Sequence, residues 1–177
     1  MNIGIEGRKV LLTGGTKGIG RGIALSFAAA GAQVVTCSRH DDEAARNLAI
    51  ELKESGGEHH VMVADVSTTS GVEALVDEAV ARMGGIDVVI GNAGTISHVP
   101  FAKLSIEDWN AVIGSNLTGN YLLVQRALPH LGAGSSVILI GSRSALVGIP
   151  LRAHYTASKA GLLGLTRAAA KELGKFG

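Results

Sequence analysis

Thr13-Gly14-Gly15-Thr16-Lys17-Gly18-Ile19-Gly20 follows a short apolar run, Val10-Leu11-Leu12, and opens a helical pattern. Ile19, Ile23 and Phe27 form one stripe of that helix, and Gly31 stops it. The order is strand, glycine turn, helix. A helix start leaves N–H groups unpaired and carries the positive end of the dipole, so an anion is stabilised there. Glycines let the backbone turn sharply and approach a pyrophosphate with no side chain between them. A glycine-rich turn can also simply reverse a chain; the flanking strand and helix are what make this one a nucleotide-site candidate.

Outward from that turn, Val34-Val35-Thr36-Cys37 reads as a second buried strand. Asp41 to Ser55 follows as a helix with Ala45, Leu48, Ala49 and Leu52 at helical spacing, stopped by Gly56-Gly57. Val61-Met62-Val63 is a third strand, ending in Ala64-Asp65-Val66. From about Ser70, Val72, Leu75, Val76, Ala79, Val80 and Met83 keep a helical period. Ser70 with Glu73 predicts a capping box, and Gly84-Gly85 a stop. Asp87 to Ile90 is a fourth strand leading into Gly91-Asn92-Ala93-Gly94. A loop through Pro100 precedes a long helical stretch from about Ser105 to Leu131, bent near Gly114 or Gly119. Ser136 to Ile140 is a fifth strand, and a loop with Pro150 leads to a last helix from about Ala153 to Lys175. Strands alternating with helices call for an α/β fold, a parallel sheet covered on both faces.

The 177 residues suffice for one domain with a substantial core. A net charge of +1, with both signs spread along the chain, points to no nucleic-acid or membrane partner. The single cysteine, Cys37, excludes an internal disulfide and suits a reducing compartment. Glu6, Arg8 and Lys9 near the start argue against a signal peptide, and no run reaches the ~18 apolar residues of a membrane span. The expected location is cytoplasmic.

Tyr155 and Lys159, four residues apart at the start of the last helix, share one face. An ammonium near a phenol favours the phenolate and readies it for proton exchange. The spacing by itself also describes an ordinary surface pair. Ser142, just beyond the fifth strand, adds weight, because open α/β sheets place their sites at strand C-terminal ends.

With the Thr13-to-Gly20 turn, Asp65-Val66, Asn92-Ala93-Gly94, Asn116, Ser142 and Tyr155-x-x-x-Lys159 in this order, the chain resembles the short-chain dehydrogenase/reductases. The resemblance covers nearly the whole chain. It implies a doubly wound Rossmann-type sheet in a single NAD(P)-binding domain over residues 1–177, with at least five strands. It also implies reversible hydride transfer between a nicotinamide coenzyme and a carbonyl or alcohol. By resemblance, Tyr155 is the general acid or base, Lys159 lowers its pKa and holds the nicotinamide ribose, and Ser142 hydrogen-bonds the substrate oxygen. Asn116 is expected to hold a relay water; capping or kinking its helix is the local alternative. The coenzyme site is expected to comprise Gly14, Thr16, Lys17, Gly18, Ile19 and Gly20 at the pyrophosphate and Asp65 and Val66 at the adenine. Asn92, with Ala93 and Gly94, would sit near the adenosine ribose. No metal is expected.

By the family pattern, the position that selects the coenzyme is Ser38, followed by Arg39. Together with Lys17 these residues offer two cations and no carboxylate, which suits the 2′-phosphate of NADP(H). NAD(H) is the alternative, with Asp41 or Asp42 binding a 2′-OH. The family's usual Asn-Asn-Ala-Gly appears as Gly91-Asn92-Ala93-Gly94, losing one side-chain hydrogen bond near the adjoining strand. The resemblance also implies a polypeptide continuing past Gly177 into a sixth strand, a substrate lid and a seventh strand. Without them, the Ser136–Ile140 strand is expected to be an apolar sheet edge. The leading function is a ketoreductase or alcohol dehydrogenase; a catalytically impaired nucleotide-binding or regulatory protein on the same scaffold is the alternative. The expected partner is a small-molecule or carrier-tethered carbonyl substrate; Arg143 and Arg152, flanking the expected pocket wall, would favour an acidic or carrier-tethered one, with solvent-facing loop charges as the alternative. A small-residue face on the last helix (Ala157, Ala160, Gly161, Gly164, Ala168) and the preceding long helix are expected to build a homodimer or homotetramer.

Overall fold

The computed structural model describes residues 4–177; the first three residues of the range expected as one domain lie outside it. Five parallel strands, β1 (Lys9–Leu12), β2 (Gln33–Ser38), β3 (His59–Val63), β4 (Ile86–Gly91) and β5 (Leu131–Leu139), form one sheet in the order β3-β2-β1-β4-β5. The helices between them are α1 (Gly18–Ala29), α2 (Glu43–Glu54), α3 (Thr69–Met83), α4 (Ile106–Ile113) and α5 (Gly119–Ala127). A short α6 (Ser144–Val147) and a long α7 (Ala153–Leu173) follow β5. The chain winds outward from β1 to β3 and then returns to the other side of β1 as β4. That reversal opens a crevice at the strand C-terminal ends, where such sheets bind ligands.

Strand alternation divides the core into two layers. Val10, Leu12 and Val34 face α1 and α2, where Ala24, Ala28, Leu48 and Leu52 are buried. Leu11, Val35 and Val89 face the other way, against Val72, Leu75, Val76 and Ala79 of α3 and Leu123 of α5. Truncating one of these buried leucines to alanine removes roughly 2–5 kcal/mol.

Several expectations change in the folded chain. The buried stripe of α1 is Gly20, Ala24 and Ala28, while Ile19 is 68 % exposed. A side chain at Gly20 would collide with the Gly14 carbonyl, so the helix sits too close to the turn for bulky residues to face inward. Ile23 and Phe27 pack at its flank, and Ile19 falls beyond the strand end. Thr68, not Ser70, caps α3: its Oγ1 accepts the Gly71 amide at 3.0 Å, and Glu73 instead pairs with Arg126 at 2.7 Å. The Asp65–Thr68 turn is already closed by the Thr68 amide on the Asp65 carbonyl, so the helix begins two residues early.

The long helical stretch is broken by a π turn at Gly114–Thr118 that separates α4 from α5, between the two glycines expected to bend it. It ends at Ala127 rather than Leu131, because Pro129 supplies no N–H to continue it. β5 consequently begins at Leu131, with a register shift before Ser136. It lies at the sheet edge with Val137 and Ile138 exposed. Among the described residues, no helix is long and apolar enough to cross a membrane, and no group of three or more His, Cys, Asp or Glu is placed to hold a metal ion.

Candidate functional site

A groove of about 450 Å³ lies at the C-terminal ends of β1, β2 and β4. Gly14, Thr16, Lys17, Ile19 and Gly20 line it from the turn, Ser38 and Arg39 from the end of β2, and Asp65, Val66, Asn92, Ala93 and Gly94 from the next two strand exits. Gly18 does not line it, but its φ of +53° sets the start of α1. Gly14 has φ +67°, and a Cβ there would sit 2.9 Å from the Ala93 Cα. Two backbones therefore touch where a side chain would separate them.

The turn is held from β4. Thr13 Oγ1 accepts the amides of Asn92 and Ala93, each at 3.0 Å. Asn92 Nδ2 donates to the carbonyls of Thr13 and Gly14 at 3.0 and 2.9 Å. The Asn92 side chain thus clamps the glycine turn. Thr36, in β2, donates to the Leu12 carbonyl at 2.8 Å and accepts the Gly15 amide at 3.0 Å. The first turn of α1 has no side-chain cap and no acidic residue. Its unpaired amides and positive dipole end suit a pyrophosphate, and the glycine surface gives it room.

At the β2 end, Lys17 Nζ lies 2.6 Å from Asp42 Oδ2. Asp42 also lines the groove and caps α2 by accepting the Ala45 amide at 3.0 Å. The sequence pattern of two cations without a carboxylate is therefore corrected: the fold brings one carboxylate onto Lys17. The Lys17 ammonium, then the Ala45 amide, hold the Asp42 carboxyl below its ordinary pKa. Asp65 accepts the Ser67 hydroxyl and amide at 2.7 and 2.9 Å; these bonds, with Arg39 and His40 nearby, lower its pKa as well. Cys37 lines the groove floor, and burial pushes its thiol up to about 11, so it stays protonated and unreactive near neutral pH.

The second half of the site stands on α7. Lys159 Nζ is 5.9 Å from the Tyr155 ring centroid and donates to the Ile140 carbonyl at 2.7 Å. Burial lowers the Lys159 pKa. Asn116 is fully buried in the π turn, a helix defect that often marks a functional site. Its Oδ1 accepts the Thr95 amide at 2.7 Å. Its Nδ2 donates to the Thr95 carbonyl at 3.0 Å and to Ser158 Oγ at 3.1 Å. Ser158 Oγ in turn donates to the Tyr155 carbonyl at 2.7 Å. Gly94 joins the two halves: it lines the groove, and a Cβ there would lie 3.1 Å from Asn116 Oδ1 and 3.8 Å from Lys159 Nζ. Ser142 Oγ is 2.8 Å from Ser144 Oγ, at the start of α6, which packs on α7.

Sequence reasoning missed a seam that ties the exit of β4 to the start of α7. Ser97 Oγ is 2.7 Å from His154 Nε2, Arg152 Nε donates to His98 Nε2 at 2.9 Å, and the Val99 amide donates to the Leu151 carbonyl at 2.9 Å. His154, adjacent to Tyr155, is fully buried, and Leu151 takes a φ of +66°, which is strained for a residue with a side chain. No local signal marks these pairs, since their partners lie more than fifty residues apart.

Residues 8–177 match the family model described as short chain dehydrogenase. The chain is 33 % identical over 173 residues to the hydroxynaphthalene reductase arp2 of Aspergillus fumigatus, covering 98 % of this chain and 63 % of that protein. It is 34 % identical over 172 residues to the 3-oxoacyl-[acyl-carrier-protein] reductase FabG of Staphylococcus aureus, covering 96 % of this chain and 70 % of the relative. The chain thus spans about two thirds of the length of the curated relatives it matches. Among solved structures, a short chain dehydrogenase of Burkholderia cenocepacia in complex with NADP superposes with a TM-score of 0.94 at 31 % identity, covering 98 % of this chain and 71 % of that one. The NADH-dependent reductase A1-R′ complexed with NAD gives 0.92 at 33 % identity, covering 99 % and 76 %. The parallel sheet, the clamped glycine turn and these matches lead to one conclusion: the chain belongs to the short-chain dehydrogenase family.

Proposed function

We propose that this protein is an NADP(H)-preferring oxidoreductase that interconverts a ketone and a secondary alcohol, with Tyr155 as the general acid in reduction and the base in oxidation. The observation that carries this reading is the Lys159 ammonium, 5.9 Å from the Tyr155 ring and beside Gly94 of the groove. When bound, the nicotinamide coenzyme supplies or accepts the hydride. The glycine turn holds its pyrophosphate, Asp65 and Val66 meet the adenine, and Asn92, Ala93 and Gly94 shape the floor beneath the ribose. Arg39 and Ser38, with Lys17, meet the 2′-phosphate; Asp42 on Lys17 weakens that preference without abolishing it.

Tyr155 gives its proton to the substrate oxygen, and the nearby positive charge stabilises the phenolate left behind. Ser142 turns from Ser144 to donate to the same oxygen as charge develops there. Asn116 Nδ2 has both hydrogens engaged, but Oδ1 keeps one acceptor position, and Lys159 Nζ keeps two donors after bonding Ile140. One water can bridge them and return a proton from solvent.

The substrate is a small-molecule or carrier-tethered carbonyl compound, a choice supported by the named activity of the FabG relative. Residues 1–177 act as one dinucleotide-binding domain of a cytoplasmic homodimer or homotetramer. The test is Tyr155→Phe with NADPH and ethyl acetoacetate as carbonyl probe. Turnover is expected to fall about 10³-fold, within the range for general acid–base groups, while the NADPH Kd stays within about twofold. A phenylalanine variant with wild-type turnover would remove Tyr155 from the chemistry.

A further inference from the structure

Gly91 closes β4 where the related motif carries an asparagine, and the space above it is filled from elsewhere. A Cβ at position 91 would collide with Asn120 Oδ1, and would also lie 3.0 Å from Asn120 Cγ and 2.7 Å from Leu139 Cδ2. Asn120, in the first turn of α5, is buried; its Nδ2 donates to the Asn116 carbonyl at 2.7 Å, one turn back and inside the π turn. Its Oδ1 has no hydrogen-bond partner and faces the bare Cα of Gly91. Leu139 can yield at its flexible tip, but Asn120 can yield to a side chain at 91 only by rotating and giving up its bond to Asn116.

We propose that Gly91 and Asn120 are a coupled pair that positions Asn116: the missing side chain at 91 makes the room from which Asn120 holds the Asn116 carbonyl. Regular helix carbonyls are satisfied by the amide four residues on, and a π turn disturbs that ladder. Asn120 adds a side-chain donor to the carbonyl of the residue whose own side chain pins Thr95 and Ser158. Asn120 is thus a positioning residue acting through Asn116, and its effect on turnover rests on the role proposed for Asn116 above.

A double-substitution cycle in the full chain tests the pair: Gly91→Ala, Asn120→Ala and both together. Two readouts are taken: kcat and coenzyme Kd with NADPH and ethyl acetoacetate, and backbone hydrogen exchange over residues 114–121 without coenzyme. Asn120→Ala removes a buried hydrogen bond to the Asn116 carbonyl, so kcat should fall about tenfold with the NADPH Kd unchanged, and exchange should accelerate. Gly91→Ala should do at least as much harm. The double variant should be no worse than Asn120→Ala alone, because the new methyl then meets only the Leu139 tip. Losses that simply multiply would overturn the coupling, and so would an Asn120→Ala protein with wild-type exchange and kcat. Should Gly91→Ala fail to fold, Asn120→Ala decides alone. An Asn116→Ala control separates the two ideas. Coupled exchange with kcat intact in every variant, Asn116→Ala included, leaves the pair standing and discards the catalytic role of Asn116.

Discussion

The helices of eight or more residues that start from non-helical backbone begin in two ways. α2, α3 and α4 are capped by Asp42, Thr68 and Ser105, each accepting an amide three residues on at 3.0 Å. α1 and α7 follow Lys17 and Arg152, neither of which makes a side-chain cap. A cation at a helix start opposes the dipole and forgoes a cap worth about 1 kcal/mol. The two starts left in this state are the one at the glycine groove and the one that carries Tyr155 and Lys159. The capped starts are satisfied by the chain's own side chains, whereas the first turns of α1 and α7 have no side-chain cap. Even there the cations are answered from elsewhere in the fold, Lys17 by Asp42 and Arg152 by His98.

The sharpest way to break this contrast is at α1. Gly20→Ala forces a methyl against the Gly14 carbonyl and Asn92 Nδ2, which clamp the turn. Overpacking of about 1–3 kcal/mol should raise the NADPH Kd on the order of tenfold to a hundredfold in a fluorescence titration. Unchanged affinity would mean that the coenzyme does not use this helix start.

The capped class makes the opposite forecast. Ser105→Ala should lower stability by about 1 kcal/mol and Tm by about 2–4 °C, with the NADPH Kd as in the wild type. A calorimetric scan beside the same titration checks both halves. A smaller effect is expected where the classes meet. Asp42→Asn preserves a good cap but frees Lys17, so the ratio of NADH to NADPH Kd values should rise about two- to fivefold, as suits an exposed pair. A constant ratio would place the 2′-phosphate away from Lys17.

The smallest signal is a pH slope at α7. The folded pKa of Lys159 lies below 10.5 because of burial. Between the lowered value and 10.5 the unfolded chain binds more protons than the folded one, so this group's contribution to stability rises with pH across that window. Urea unfolding of Lys159→Met at several alkaline pH values should lack that rise, and an identical slope would contradict the burial of the ammonium.

Much of this was legible in advance. The apolar runs Val10–Leu12, Val34–Cys37, Val61–Val63 and Asp87–Ile90 all fall inside the first four strands. Gly84 ends α3 with φ +69°, and the break between Gly114 and Gly119 appears as the π turn. The coenzyme residues expected in the glycine turn other than Gly18, with Ser38, Arg39, Asp65, Val66, Asn92, Ala93 and Gly94, line one groove, whereas Ser142, Tyr155 and Lys159 do not line it. The errors share a cause. Ile19 is apolar and in phase, yet close approach of α1 to its own turn turns it outward. Ser70 has the composition of a cap, but the Asp65–Thr68 turn starts the helix earlier.

By itself, the sequence determined the alternation of strands and helices, the phosphate turn and the shared face of Tyr155 and Lys159, because periodicity, glycine freedom and helical spacing act over a few residues. Tertiary structure alone decided the strand order, the Lys17–Asp42 pair, the seam from Ser97 to His154, the network around Asn116 and the fit of Asn120 over Gly91. Those contacts join residues 21 to 78 positions apart. Such partners meet only after the sheet has chosen its neighbours, so no local pattern of residue types records them.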